Sequence, residues 1–489
     1  MGQSPHILRS IARDSSLALI LVGLAGPLWY LSTLVMARYY GAQVMGTFFI
    51  AWNLVRIISA VSQLGLDIGL LRFSAVLKAK GQAGGIKPLL WPAIGVITLV
   101  STAAAAGLYY WRDWLALHFN APYLPVVILF LAPSLPILAA TSGFRETVRA
   151  LGGIKSAVFQ KNALVHLAFI AFLLILAYVG RDFFSRFGAL GCAAFLSCVL
   201  NLGFLVFVLR YQTRGENAGA GQSSFRELFW YSLPLCLSSL LPAFAFIDRL
   251  ILGYFAPPQE VAYYEVAAKM EMIITLPLLA VNSVIPPLVA QFYEYGNIAN
   301  LEIIAQTTAR WAYYMALPLT LLIILLAPQI LGTFGADFTK ARFALIVLSL
   351  AQLVNVASGS VAFILIMTGH QWKVASLRFI TMAIAIALMI VLAKFYGFNG
   401  LACASALGII GLNVFLGLAV WRYINIKAFA RGVGWANISA LLGVLVFFLS
   451  KPMIGPFGGA GLFLLTYLAL VAKHIKQEIK MSYSSILGK

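Results

Sequence analysis

Charge is what this chain has least of. Asp, Glu, Lys and Arg make up 10% of the 489 residues, and the acidic share is only 15 residues. Set against 62% hydrophobic residues and a mean hydropathy of +0.94, that scarcity excludes a water-soluble globule; no soluble core could hide so much apolar surface, and a bilayer is the solvent. Long polar connections are also missing. No loop between apolar runs exceeds about 20 residues, so a folded soluble catalytic domain has no room. The four cysteines, Cys192, Cys198, Cys236 and Cys403, lie inside apolar runs without metal-ligand spacing and read as small apolar residues, so no metal centre is expected. His118 and His370 sit at loops or helix ends with no clustered partners and receive no role. There is no P-loop, H-E-x-x-H, Cys pair or G-x-S-x-G in a strand–turn–helix setting. These absences weigh against an enzyme and against any bound cofactor.

What is present is apolar length. Runs able to span a bilayer, about 20 residues each, fall at 17–37, 46–70, 88–111, 123–142, 157–179, 188–209, 228–252, 262–290, 308–330, 341–367, 373–395, 399–421, 433–450 and 457–473. The expectation is an all-α polytopic membrane protein of about fourteen transmembrane helices. The formal charge of +19 invites a nucleic-acid reading, but the distribution of the basic residues argues otherwise. With the N-terminus inside, 23 Lys and Arg fall on inner loops and termini and eight on outer loops. That bias makes the positive balance a topology signal, puts both termini in the cytoplasm, and leaves no basic soluble domain for nucleic acid. Arg9 and Arg13 precede the first span without an A-x-A-like site, which reads as a retained helix rather than a cleaved signal.

The chain is organised around residues 26–73, an apolar helix containing Pro27, a turn at Tyr40–Val44, and a second helix with Arg56 in its middle. This stretch is echoed 215 positions later, where LPAFAFIDRLILGYFA aligns with GPLWYLSTLVMARYYG and Pro242 falls on Pro27. RALGGIKSAV (149–158) matches IMTGHQWKVA (366–375) at an offset of 217, and FGALGCAAFL (187–196) matches FNGLACASAL (398–407) at 211. Three anchors at nearly constant offset indicate a duplicated unit. The expected organisation is an N-lobe of six spans over 1–211, a cytoplasmic linker at 212–226, a C-lobe of six spans over 227–424, and two extra helices with a basic cytoplasmic tail over 425–489. An even number of spans per repeat relates the lobes by a pseudo-two-fold along the membrane normal.

Ionisable residues inside spans mark pathways or internal pairs. Arg56 shares one helical face with Asn53, Ser59, Gln63 and Asp67, a polar stripe that lines a cavity or packs on another helix. In the eighth span, Glu265 and Lys269 are spaced i, i+4, which suits a local ion pair as well as a substrate contact, and Glu271 is a candidate cation or proton site. Asp248 and Arg249 lie in the outer third of the seventh span, where Arg249 either snorkels or serves the cavity. Ser349, Gln352, Asn355 and Ser358 align hydroxyls and amides that either receive sugar hydroxyls or join helices. Pro27 and Pro242 are equivalent kink positions.

GLDIGLLRF (65–73), AFIDRLILGYF followed by VAYYEVA, and ARYYGAQVMGTFF resemble signatures of the polysaccharide transporter family in the multidrug/oligosaccharidyl-lipid/polysaccharide (MOP) flippase superfamily. The similarity covers about the first twelve spans. It implies a multi-pass flippase of the bacterial inner membrane that turns an undecaprenyl-pyrophosphate-linked O-antigen or related repeat unit from the cytoplasmic to the periplasmic leaflet. It further implies alternating access, coupling to H+ or Na+, and partners such as a glycan polymerase and a chain-length regulator. A pyrophosphate needs cations, which Arg56 with Lys269 or Arg249 would supply, alongside Asn53, Gln63, Gln352 and Asn355 in the cavity. The family's Asp and Arg fall on Asp67 and Arg72 and on Asp248 and Arg249; with Glu265 and Glu271 these are the gating or ion-coupling candidates. Lipid II flipping, export of cationic drugs, a membrane-embedded glycan polymerase or ligase, and a non-transport scaffold are the competing expectations.

Overall fold

The computed structural model describes residues 5–179, 186–213, 224–236 and 246–487, with side chains described within 21–82, 85–178, 186–213, 224–236 and 246–473 except for residue 22. Among the described residues every regular element is a helix. Packing divides the chain into two compact units, Met1–Ala262 and Tyr263–Lys489.

The first unit contains α1 (Pro5–Ser62), α2 (Leu66–Ala79), α3 (Lys87–Tyr110), α4 (Arg112–His118), α5 (Leu124–Leu131), α6 (Ser134–Ala150), α7 (Ile154–Phe159), α8 (Val165–Val179), α9 (Arg186–Gln212), α10 (Phe225–Ser232) and α11 (Ile247–Phe255). Pro27 lies within α1, but the backbone leaves helical dihedrals further on, at Gly41 (φ 80°, ψ 170°), inside the expected turn. Only glycine takes up that conformation freely. A π turn, Gln160–Leu164, joins α7 to α8, and its Gln160 amide donates to Asn201 Oδ1 at 2.9 Å. Leu66, Leu70, Ile94, Ala139, Phe144, Leu205 and Leu228 meet in the core of this unit. Of the expected linker, residues 214–223 lie outside the described residues, as does Pro242. Beyond the linker, α10 packs on α2 and α3, and α11 packs on α1.

From α12 (Pro258–Met270) the chain runs through a 3-10 turn, Glu271–Thr275, to α13 (Leu276–Glu294), α14 (Ile298–Leu325), α15 (Ala327–Phe334), α16 (Arg342–Ser358), α17 (Val361–Met367), α18 (Gln371–Ile424) and α19 (Gly434–Leu487). At 1.5 Å per residue α18 would be about 80 Å long if straight, far beyond the roughly 30 Å of a bilayer core. It breaks at Gly397 (φ 56°, ψ −141°) and folds back: a β-carbon on Gly408 would stand 2.9 Å from that of Ala385 in the first arm. α19 does the same at Gly455, bringing Gly443 against the Phe463 carbonyl.

Nine helices among the described residues are long and apolar enough to cross a membrane, or ten when the pair α5 and α6, bent by 45°, forms one span. Three of the nine, Gly23–Ser62, Gln371–Ile424 and Gly434–Lys473, each carry an internal glycine break and cover two of the expected runs. The run at 228–252 falls partly on residues outside the description. The protein is a multi-pass, all-helical membrane protein.

Two of the echoed segments share backbone detail. At Gly152 (φ 92°) the Gly152 N–H donates to the Arg149 carbonyl and the Gly153 N–H to that of Val148. At Gly369 (φ 84°) the same two bonds run from Gly369 to Ile366 and from His370 to Leu365. Both turns close a helix with a left-handed glycine. Likewise Gly41 and its counterpart Ala256 (φ −132°, ψ 158°) both interrupt the chain between helices.

Candidate functional site

In the first unit, the second half of α1 presents the expected polar face. Asn53 is buried and its amide donates to the Phe49 carbonyl at 2.8 Å, a bond within its own helix. Gln63 donates to Ser59 Oγ at 3.4 Å. The stripe is therefore partly satisfied locally, and Arg56 is its chemically distinct member. The Arg56 guanidinium lies 3.7 Å from the centre of the Phe246 ring. Arg249 approaches the same ring at 5.7 Å. A guanidinium donates in its own plane, so stacking on a ring does not use up its donors.

Arg249 does not snorkel outward: it and Asp248 are each 7% exposed. They pair with one another, Arg249 Nη1 on Asp248 Oδ2, while Asp248 Oδ1 accepts the Arg249 backbone N–H at 2.8 Å. A buried cation held by an adjacent carboxylate is locally compensated.

Three cations that the sequence suggested only as topology signals, Arg145, Arg149 and Lys161, gather with Glu146, and Lys161 lies within reach of Arg56. On α6, Glu146 accepts Arg145 Nε and Arg149 Nη1, each at 3.3 Å, and Arg145 also donates to Ser142 Oγ at 3.2 Å. Lys161, on the π turn, is within electrostatic reach of Arg145, Arg149, Arg56 and Glu146. Asp67, near the start of α2, is within reach of Glu146 and Arg145, and its Oδ1 is buried with no hydrogen-bond partner among the described residues. Lys161 thus has three guanidinium groups within reach, a grouping of cations suited to an anionic group.

The GLDIGLLRF segment is a docking element. Leu64 and Gly65 both take positive φ before α2, and Gly65 and Gly69 let α2 approach the Ser232 end of α10 so closely that a β-carbon at Gly69 would stand 2.0 Å from Ser232 Oγ. Arg72 then lies 4.3 Å from the Tyr231 ring centre, with Phe73 edge-on to that ring at 5.7 Å. Neither Phe246 nor Tyr231 was singled out from the sequence; the only signal was an aromatic just before each charged or proline-bearing motif.

The second unit uses its charges differently. Lys269 pairs with Glu265 at 3.9 Å, the i, i+4 ion pair that the spacing allows. Glu271 is 7% exposed and opens the 3-10 turn that packs on α16 and α14. On α16, Asn355 donates to Gln352 Oε1 at 2.9 Å and Ser358 donates to Asn413 Oδ1 at 2.8 Å, so much of this row joins side chains together. Ser349 Oγ is fully buried with no partner among the described residues. No group of three His, Cys, Asp or Glu residues able to hold a metal occurs among the described residues.

A profile described as "Polysaccharide biosynthesis protein" matches residues 12–293, and one described as MatE matches 234–370. The chain is 26% identical over 232 residues to a probable low-salt glycan biosynthesis flippase, Agl15, of Haloferax volcanii; the match spans 47% of this chain and 49% of that protein, about half of each. Among solved structures, the lipid II flippase MurJ in an inward closed conformation superposes with a TM-score of 0.72 at 13% identity, over 95% of this chain and 99% of that one. An inward-facing multidrug resistance MATE family transporter of the MOP superfamily gives 0.60 at 15% identity, over 83% and 94%. The fold is thus shared with these transporters, and the chain, matched over more than half its length, belongs to the polysaccharide biosynthesis protein family.

Proposed function

We propose that the protein is a flippase for a lipid-linked oligosaccharide. The observation that carries this reading is the gathering of Arg56, Arg145 and Arg149 within electrostatic reach of Lys161 in the first unit. A pyrophosphate crossing a bilayer needs charge-assisted hydrogen bonds to replace its water, and planar guanidinium groups supply them in pairs. Arg249, compensated by Asp248, takes the supporting role of holding Phe246 beneath Arg56. The substrate on this reading is an undecaprenyl-pyrophosphate-linked repeat unit, moved from the inner to the outer leaflet of a bacterial inner membrane with both termini cytoplasmic. Its delivery to a glycan polymerase and chain-length regulator would follow. An ion gradient of H+ or Na+ drives the cycle through Glu271, whose turn packs against the helix of Ser349, with Glu265 held by Lys269. The glycan assignment is supported by the similarity to Agl15, which is named as a glycan biosynthesis flippase.

The test is translocation in proteoliposomes loaded with undecaprenyl-pyrophosphate oligosaccharide, read by accessibility of the glycan to an external modifying enzyme. Flipping that Arg56→Ala abolishes and Arg56→Lys partly retains is the expected result. Equal flipping by wild type and Arg56→Ala removes the cation cluster from the mechanism, and preferential transport of cationic dyes favours the drug exporter instead.

A further inference from the structure

On the opposite flank of the first unit from the cation cluster's inner loops, on the side assigned by the charge bias to the outside, α3, α4 and α5 turn a corner beside the end of α11. We propose that this corner is a second ligand site, for a neutral, hydroxyl-rich sugar unit. It holds an open cleft of about 570 Å³ lined by Asp113, Ala116, Leu117, Asn120, Pro122 and Pro125. An adjoining hollow of about 290 Å³, lined by Leu117, His118, Asn120 and Tyr254, shares two of those residues. Ligand clefts commonly run from about 300 to 1,000 Å³.

The lining explains the ligand class. Asn120 takes a left-handed φ of 47°, and its amide donates to the Tyr254 carbonyl at 3.4 Å, which leaves Oδ1 as an acceptor. The ring of His118 lies tilted over Trp114, centroids 3.9 Å apart, and its Nδ1 donates to the Trp114 carbonyl at 2.9 Å; in that tautomer Nε2 is an acceptor too. Asp113 adds a carboxylate that is 77% exposed and only loosely associated with Arg112 at 3.7 Å. The cleft is thus rich in acceptors, and its ligand has to bring the donors. Sugar hydroxyls do so, whereas a phosphate or an anionic lipid headgroup would meet the carboxylate. Tyr254, 49% exposed, presents an aromatic face at one wall, with Leu117 and the two prolines as an apolar floor. That combination matches a pyranose ring, which is apolar on its faces and polar around its rim.

The inference places a glycan contact on the far side of the bilayer from the proposed entry of the substrate, yet it stands apart from the flippase reading because its test measures binding alone. The full-length protein in phospholipid nanodiscs is titrated with maltotriose, chitotriose and mannotriose, followed by saturation-transfer NMR. Binding of at least one trisaccharide is expected, at least fivefold weaker in Tyr254→Ala and Asp113→Ala, retained in Tyr254→Phe, and unchanged in Arg56→Ala. Thermal melting in the same nanodiscs shows that the variants remain folded. Binding of none of the three, or equal binding by wild type and both alanine variants, overturns the site. So does brominated phospholipid quenching that is lost in Trp114→Phe, since that would put the corner in the lipid interface. A protein that binds sugar but fails to flip lipid-linked oligosaccharide would sink the transport reading and leave this one standing.

Discussion

The same helix occurs twice in this chain and has been put to two uses. In the first unit it carries Arg56, stacked on Phe246 and within electrostatic reach of Lys161. Its copy in the second unit carries Glu265 and Lys269, which neutralise one another, and at the position matching Arg56, 216 residues on, stands Met272, 53% exposed. The echoed stretches share backbone devices, the helix break at Gly41 and Ala256 and the left-handed turns at Gly152 and Gly369. They do not share the charge. Backbone turns are demanded by packing in both copies, while a cation inside a membrane is costly and persists only where its surroundings repay it.

The sharpest break of this comparison is Arg56→Ala against Met272→Ala. The first should abolish glycan-lipid translocation and leave thermal stability nearly unchanged; the second should alter neither. Matching losses of transport from both would mean that the two copies contribute alike and that the asymmetry of charge is incidental.

Next in size is the ion pair of the second unit. Glu265→Gln leaves the Lys269 ammonium beside a neutral amide, and breaking one side of a buried pair costs about 3 kcal/mol. Lys269→Met should cost a similar amount, and the double variant should recover part of it, as read from thermal unfolding in detergent. Should the single variants instead melt like wild type while transport loses its dependence on an ion gradient, the pair is a coupling site. Removing the Tyr231 ring that Arg72 faces should cost less, about 1 kcal/mol, seen as faster proteolysis between α2 and α10 on Tyr231→Ala.

The architecture was legible because bilayer crossing leaves a coarse mark, a run of apolar residues, and because a copied half repeats its turns at fixed offset. Arg56 was legible for a related reason, being a lone cation within such a run. Arg145, Arg149 and Lys161 were not, since cations near helix ends are also what orients any membrane protein, and the two signals coincide in sequence. Only the packing of α6 and of the π turn against α1 separates them. The boundary between lobes shows another limit. By repetition the second half opens near residue 227, but packing gathers residues up to Ala262 with the first unit, because Gly65 and Gly69 accept Ser232 at close range. The glycines were in view, but their partner across the fold was not. His118 is a similar case: it stood alone in sequence, and its ring neighbour Trp114 and wall partner Tyr254 emerge only at the folded corner.

The smallest effect is also the most exact test of the duplication. Gly152→Ala and Gly369→Ala each place a β-carbon on a left-handed residue, which costs about 1–2 kcal/mol. Space does not decide the matter: nothing lies within 4 Å of the added carbon at Gly369, and at Gly152 its one close neighbour is Lys78 Nζ at 2.7 Å, the end of a flexible chain. That ammonium donates to the Leu151 carbonyl at 2.8 Å, so the Gly152 variant should lose slightly more, by a surface hydrogen bond of at most about 1 kcal/mol. Asparagine, which tolerates positive φ, should restore part of the loss at both positions. Equal responses within that margin, measured by thermal unfolding, would mean that the two turns are one inherited device. A large loss at one and none at the other would mean that the matched hydrogen bonds arose separately.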